Sequence, residues 1–311
     1  MNLRIASGTA TRDLATTVSA ALGAGPVMGK VECFPDGELR PLVPGVRGDD
    51  VFVLQSTGPP VNDRFVELLL LIDACRRAGA DRVTAVVPYF GYARQDRRSR
   101  GGQAIGARVT AAAIAAAGAD RLVVIDPHSA AFEAMFAIPV EVLTAVPPIA
   151  NALFPSVTPD AVVVAPDLGA VKIAERFASL LGLPVVIVRK TRVSGSTVRA
   201  EALVGDVDGR PAMVVDDMIS SGATVEAAVQ LLLENGARQD VTVAVTHGLF
   251  VGDAVERLGR LHLGRVVITD SLGGTQSLGL PVEVASISTL LAAAIDRLHR
   301  HQSVDELLGG A

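Results

Sequence analysis

Short aliphatic, β-branched runs alternate along the chain with longer Ala/Leu-rich stretches whose apolar positions recur every three or four residues. The runs at 51–55, 83–88, 122–126, 161–165, 185–188, 212–215, 242–246 and 266–269 predict strands. The periodic stretches 62–78, 104–117, 169–181 and 224–235 predict helices; in the last, Val225, Ala228, Val229 and Leu232 fall on one face. A closing helix is expected from Ile287, Leu290, Leu291, Ala294, Ile295 and Leu298. Alternation of this kind is the pattern of βα units on a mostly parallel sheet. Gly79, Gly118 and Gly236 each stand where a helix should end before the next strand, a faint repeat that successive βα units would produce unaided. Val146-Pro147-Pro148 is the expected seam, dividing the chain into 1–147, 148–285 and a closing segment 286–311 that would return to the first domain.

Composition narrows the class. With 311 residues, half of them hydrophobic, the chain is long enough for two cores. Aromatics make up only 4 % and Trp is absent, which suits Val-rich buried strands under Ala-rich helices. A net charge of −5 gives no electrostatic reason to expect nucleic acid or an anionic membrane as partner. The only cysteines, Cys33 and Cys75, lack metal-ligand spacing, and no apolar run is long enough for a bilayer or reads as a signal peptide. The expectation is a cytoplasmic protein with no membrane partner.

Candidate chemistry concentrates at strand ends. The apolar run 212–215 leads into Asp216-Asp217, then the small-residue loop Ser220-Ser221-Gly222-Ala223-Thr224, then a helix. Loop N–H groups, hydroxyls and a helix N-terminus can hold a phosphate dianion, and two carboxylates can hold ribose hydroxyls directly or through a divalent cation. The bland reading is an ordinary turn in which Asp and Ser cap the helix.

Five further segments are expected past the carboxyl ends of strands, where open α/β sheets bind ligands. Phe34-Pro35-Asp36-Gly37-Glu38 offers a ring and two carboxylates to a nucleobase, or is a turn beside a buried Phe. Arg94-Gln95-Asp96-Arg97-Arg98, after an aromatic-rich strand end, suits polyphosphate, or is a solvated charged loop. His128 can ligate a metal or meet a phosphate, or be a satisfied structural residue, and Asp167 can cap a helix or contact a metal-bound substrate. Lys190-Thr191-Arg192 opens a polar stretch of the kind that closes over active sites, where two cations can offset charge on a transferring phosphoryl group.

The order of these segments, with Thr246-His247-Gly248-Leu249-Phe250, resembles the ribose-phosphate pyrophosphokinase (phosphoribosyl pyrophosphate synthase) family over almost the whole chain. The resemblance implies two phosphoribosyltransferase-like domains, each a mostly parallel sheet flanked by helices. It implies transfer of the β,γ-diphosphoryl group of ATP to the C1 hydroxyl of ribose 5-phosphate. By motif, Asp216 and Asp217 would hold ribose hydroxyls, and Ser220, Ser221, Gly222, Ala223 and Thr224 would cradle the 5-phosphate. Phe34, Asp36, Gly37 and Glu38 would meet adenine of ATP bound mainly by a neighbouring subunit, with Arg94, Gln95 and Asp96 on its other side. His128 and Asp167 would serve Mg2+, Asp167 also lying beside ribose 5-phosphate, and Lys190 and Arg192 would form the catalytic loop. A homo-oligomer with a shared ATP site follows from the same resemblance.

Some positions depart from the family pattern. Ser220 and Ala223 replace an acid and a glycine in the phosphate loop, Pro127 stands for Leu, and Thr191 and Val193 for a basic residue and Pro. Gly45 replaces a Ser associated with ADP control, so inhibition by ADP at a separate site is not expected. Two other functions fit fewer segments. A silent nucleotide-binding homologue would not need His128, Asp167, Lys190, Arg192 and Asp216 together. A type I phosphoribosyltransferase would need neither the Phe34–Glu38 nor the Arg94–Arg97 segment, nor a second full domain.

Overall fold

A computed structural model describes residues 1–129, 131–192, 198–273 and 279–308, with side chains left aside from 190 to 201. The chain forms two compact units: one holds 1–144, 271–273 and 287–308, the other 145–270 and 279–286.

In the first unit the elements are β1 (Leu3–Ser7), α1 (Arg12–Leu22), β2 (Lys30–Cys33), β3 (Leu39–Leu42), β4 (Asp50–Leu54), α2 (Val61–Arg77), β5 (Arg82–Val87), α3 (Gly106–Ala117), β6 (Arg121–Ile125) and β7 (Val140–Leu143). Five strands form a parallel sheet in the order β1-β4-β5-β6-β7, while β2 and β3 pair as a separate antiparallel hairpin. Every residue of β4 is buried, as a parallel strand covered on both faces requires. Helix α2 turns Leu68, Leu71, Ile72 and Cys75 inward at spacings of three and four, against a core that includes Val51, Val53, Val83 and Val87. Gly118 ends α3 in the left-handed conformation expected of a C-cap glycine.

The second unit contains α4 (Val146–Leu153), β8 (Val162–Ala165), α5 (Val171–Leu181), β9 (Val185–Arg192), β10 (Val198–Val204), β11 (Ala212–Ile219), α6 (Ala223–Glu234), β12 (Thr242–Gly248), α7 (Ala254–Gly259), β13 (Arg265–Ile268) and β14 (Val282–Val284). Its sheet runs β10-β9-β8-β11-β12-β13-β14, antiparallel only at β10. The predicted stripe Val225, Ala228, Val229 and Leu232 is the buried face of α6. The last helix, α8 (Ser288–His299), belongs to the first unit and packs on α1.

Several elements differ from the sequence expectation. The stretch Val146-Pro147-Pro148 is the first turn of α4, where proline's missing N–H and fixed φ are tolerated. The strand expected to end at 215 runs on to Ile219, because pairing with β12 continues through Asp216↔Val245 and Ile219↔Gly248. The acidic pair therefore lies inside β11. Likewise β9 continues to Arg192, so Lys190, Thr191 and Arg192 are strand residues, with Arg192 opposite Val198 of β10.

A repeat of topology underlies the faint repeat in sequence. Strand, helix, hairpin, strand, helix, strand, helix and two strands follow one another from β1 to β7 and from β8 to β14, and the sheet orders β1-β4-β5-β6-β7 and β8-β11-β12-β13-β14 correspond.

Leu71, fully buried in α2, tests this packing. Leu71→Ala should lower the unfolding free energy by about 2–5 kcal/mol, the usual loss for opening a leucine-sized cavity. Urea denaturation of the two proteins measures it; a loss under about 1 kcal/mol would mean that the site is loosely packed.

Candidate active site

Parallel register assembles the acidic part of the site in the second unit. Val162–Val164 of β8 lie opposite Ala212–Val214 of β11, so the carboxyl ends of the two strands run side by side. Asp167, two residues past β8, is thereby brought near Asp216 and Asp217. Burial pushes the Asp216 carboxyl well above the usual range, and the negative charges of Asp217 and Asp167, with a hydrogen bond to Asp217, push the same way. One oxygen of Asp216 accepts from the Asp217 N–H at 2.9 Å. The Asp167 Oδ1 accepts from the N–H groups of Gly169 (2.9 Å) and Ala170 (3.2 Å), capping a short 3-10 turn, Leu168–Ala170, ahead of α5. Capping, one of the two roles open to Asp167, is thus made by one of its oxygens.

The small-residue loop follows directly. Ser220 and Ser221 turn the chain, and Gly222 begins α6 at φ +76°, a left-handed conformation that glycine adopts without strain. The Leu249 N–H donates to the Ile219 carbonyl (2.9 Å) and the Val251 N–H to that of Ser220 (3.0 Å), fixing the start of the loop. The N-cap residue of α6 is Gly222, which offers no side chain to the helix, and the acidic pair sits in the strand rather than at the cap position named in the bland reading. Behind the loop, Arg257 of α7 pairs with Glu226 in the first turn of α6 and with Asp253. Sequence reasoning missed Arg257 and Glu226, which lie on different helices with no spacing signal to connect them.

In the first unit, Phe34, Asp36, Gly37 and Glu38 form the exposed tip of the β2–β3 hairpin. Their expected place at the carboxyl edge of the open sheet is thus corrected. Among the described residues the hairpin's two strands pair only with each other, and Pro41 within β3 brings no N–H to the ladder. The Phe34 N–H donates to the Glu38 carbonyl (2.8 Å), the Glu38 N–H donates to Asp36 Oδ1 (3.1 Å), and Gly37 takes φ +94°. The Phe34 ring is 38 % exposed, so it is not the buried Phe of the bland reading. The Arg40 guanidinium lies 4.9 Å from its centroid.

Arg94 and Gln95 are exposed and Asp96 half-buried in the loop after β5, where the Ala107 N–H donates to the Gln95 carbonyl (3.2 Å). Exposed His128 follows β6. The side chains of Lys190 and Arg192 lie outside the described part of the structure. No three His, Cys, Asp or Glu side chains converge as a metal cage among the described residues.

An acidic pair on a parallel strand, followed by a small-residue loop and a glycine-started helix, is an arrangement of α/β enzymes suited to a phosphorylated sugar. Comparison with known proteins makes the class specific. Residues 3–118 match the N-terminal domain of ribose phosphate pyrophosphokinase, and 192–309 match the phosphoribosyl synthetase-associated domain. Ribose-phosphate pyrophosphokinase of Rhodopirellula baltica is 42 % identical over 98 % of both chains. That of Parasynechococcus marenigrum is 39 % identical over 98 % of this chain and 93 % of its own. The crystal structure of phosphoribosylpyrophosphate synthetase from Mycobacterium smegmatis is 37 % identical and superimposes with a TM-score of 0.88, covering 97 % of this chain and all of that one. The chain belongs to the ribose-phosphate pyrophosphokinase family, as its motifs led us to expect.

The raised Asp216 pKa has a measurable consequence. Between the ordinary value of 3.8 and the raised one, the folded chain binds more protons than the unfolded chain, so stability falls as pH rises through that window. Asp216→Asn removes the penalty. Without divalent cations it should melt higher than wild type at pH 7, and the gap should close as pH falls to the ordinary carboxylate range. A gain of equal size at every pH would contradict this origin.

Proposed function

We infer that the chain transfers the β,γ-diphosphoryl group of ATP to the C1 hydroxyl of ribose 5-phosphate, yielding phosphoribosyl pyrophosphate and AMP. The observation that carries the reading is the small-residue loop and glycine-started helix α6 that follow the acidic strand β11, in a chain that matches ribose-phosphate pyrophosphokinases over nearly its full length. A silent homologue is not favoured, since His128, Asp167, Lys190, Arg192 and Asp216 are all present.

In this reading Ser220, Ser221, Gly222, Ala223 and Thr224 take the 5-phosphate, offering backbone N–H groups and hydroxyls at the positive end of α6. Asp216 and Asp217 accept from the ribose hydroxyls; the crowding that raises the Asp216 pKa would be relieved by such donors or by a cation. Asp167 in the second unit and His128 in the first are each proposed to serve Mg2+, an ion commonly held by one or two carboxylates together with substrate phosphate oxygens. Bound Mg2+ would neutralise charge on the triphosphate. Lys190 and Arg192 would offset charge on the diphosphoryl group as the C1 oxygen attacks the β-phosphorus and the bond to AMP breaks.

The first unit would receive ATP. Phe34 would stack on adenine, Asp36, Gly37 and Glu38 would meet its edge, and Arg94, Gln95 and Asp96 would contact ATP from the other side. A homo-oligomer sharing the ATP site would cover exposed apolar surface on the hairpin, where Leu42 is 61 % and Phe34 38 % exposed. The exposed free thiol of Cys33 suits a reducing cytoplasm.

The direct test is purified protein with ribose 5-phosphate, ATP and Mg2+, quantifying AMP and phosphoribosyl pyrophosphate. We expect both products in equal amounts, and none above background from Lys190→Ala. Wild type no faster than that variant would end the assignment. The shared ATP site is tested by mixing. Asp36→Ala should bind ATP weakly and turn over poorly, yet subunit exchange with the Lys190→Ala protein should restore part of the activity. No recovery after verified exchange would mean that Asp36 serves its own subunit.

A further inference from the structure

Glu226 lies one turn into α6, its N–H donating to the Gly222 carbonyl at 2.9 Å. A carboxylate at that position suits the helix dipole, but it opposes a phosphate dianion placed at the same helix end. Arg257 answers the conflict. Its Nη1 donates to Glu226 Oε2 and its Nη2 to Asp253 Oδ2 at 2.9 Å. The hydrogen bond to Glu226 holds the guanidinium above its usual pKa. The same side chain also lies under the loop: a Cβ built on Gly222 would come 3.4 Å from Arg257 Cδ and 3.4 Å from Leu258 Cγ.

We propose that Arg257 is a positioning residue for ribose 5-phosphate, neutralising Glu226 and supporting Gly222 from behind the loop. The inference rests on the reading of 220–224 as the 5-phosphate cradle. Arg257 does not touch the phosphate; it keeps the field at the start of α6 favourable to an anion. In its absence the Glu226 charge would act on the bound phosphate through about one helical turn, ~5.4 Å, of partly buried protein.

Steady-state kinetics on the full chain test this, with ribose 5-phosphate varied at saturating ATP and ATP varied at saturating ribose 5-phosphate. Arg257→Gln should raise KM for ribose 5-phosphate about fivefold and leave KM for ATP unchanged. Adding Glu226→Gln to Arg257→Gln should bring it back to within about twofold of wild type, since the uncompensated charge is then gone. A purely structural tie between α6 and α7 would leave the double variant as impaired as Arg257→Gln, which overturns the inference; so does an unchanged KM in Arg257→Gln. Should Arg257→Gln not fold, Arg257→Lys carries the test: it keeps the charge, so its KM must stay within about twofold of wild type.

A loop variant, Ser221→Ala with Thr224→Ala, separates the two premises. An unaltered KM for ribose 5-phosphate there removes the cradle reading and this inference with it. A raised KM in the loop variant, with no recovery in the double variant, overturns the role of Arg257 alone.

Discussion

Like charge held together at the carboxyl edge of a parallel sheet is the constraint on which the second unit turns. The pairing of β8 with β11 sets Asp167 beside Asp216 and Asp217, and their mutual repulsion is sharpened by the burial of Asp216. Partly buried carboxylates in such proximity favour a shared proton, a cation or donated hydroxyls. The sheet enforces the crowding because its strands are anchored by burial: every residue of β8 is buried, and five consecutive residues within β12 are. Stability spent on holding acids together is recovered when a ligand supplies the missing counter-charge or donors.

Much of this was legible in the sequence because the central strands and helices carry strong patterns. The interior strands β4, β5, β6, β8, β11, β12 and β13 are continuous aliphatic runs, and α2 and α6 are periodic. What escaped was weakly patterned or misleading. The hairpin strands Lys30–Cys33 and Leu39–Leu42 mix charge, Pro and apolar residues, and β14 is only three residues long. Helix α1, with its Thr-rich polar face, and α4, opened by two prolines, resemble loops until their buried sides are seen. The acidic pair looked like a strand end because Asp is disfavoured in strands, yet the ladder to β12 carries it inside.

The candidate site divides along the same line. Its acidic pair, small-residue loop and hairpin residues were readable as ordered motifs, since each is a contiguous stretch. The Arg257–Glu226–Asp253 group was not, because Glu226 and Arg257 are 31 residues apart and meet only through the packing of α7 on α6. Motifs report the groups facing a ligand; charges stationed behind them emerge only from packing.

The repeated topology has a consequence for stoichiometry. In the first unit Leu54 of β4 pairs with Ser7 at the end of β1, so Gln55-Ser56 follows β4 in the register at which Asp216-Asp217 stands in β11. Gln55 there is bound to Glu67 (2.7 Å) and to the Ala10 N–H (3.1 Å). The Ser56 hydroxyl accepts from the Tyr89 N–H and donates to the Ser271 carbonyl, and the Thr57 hydroxyl spans Tyr89 and Gly91. Pro59 and Pro60 bring no N–H to the start of α2. One architecture thus occurs twice, but in the first copy the polar groups after the central strand are consumed by the protein's own backbone and side chains. Among the described residues the chain is a tandem whose halves have diverged at this point, which leaves the proposed sugar-phosphate cradle to the second copy.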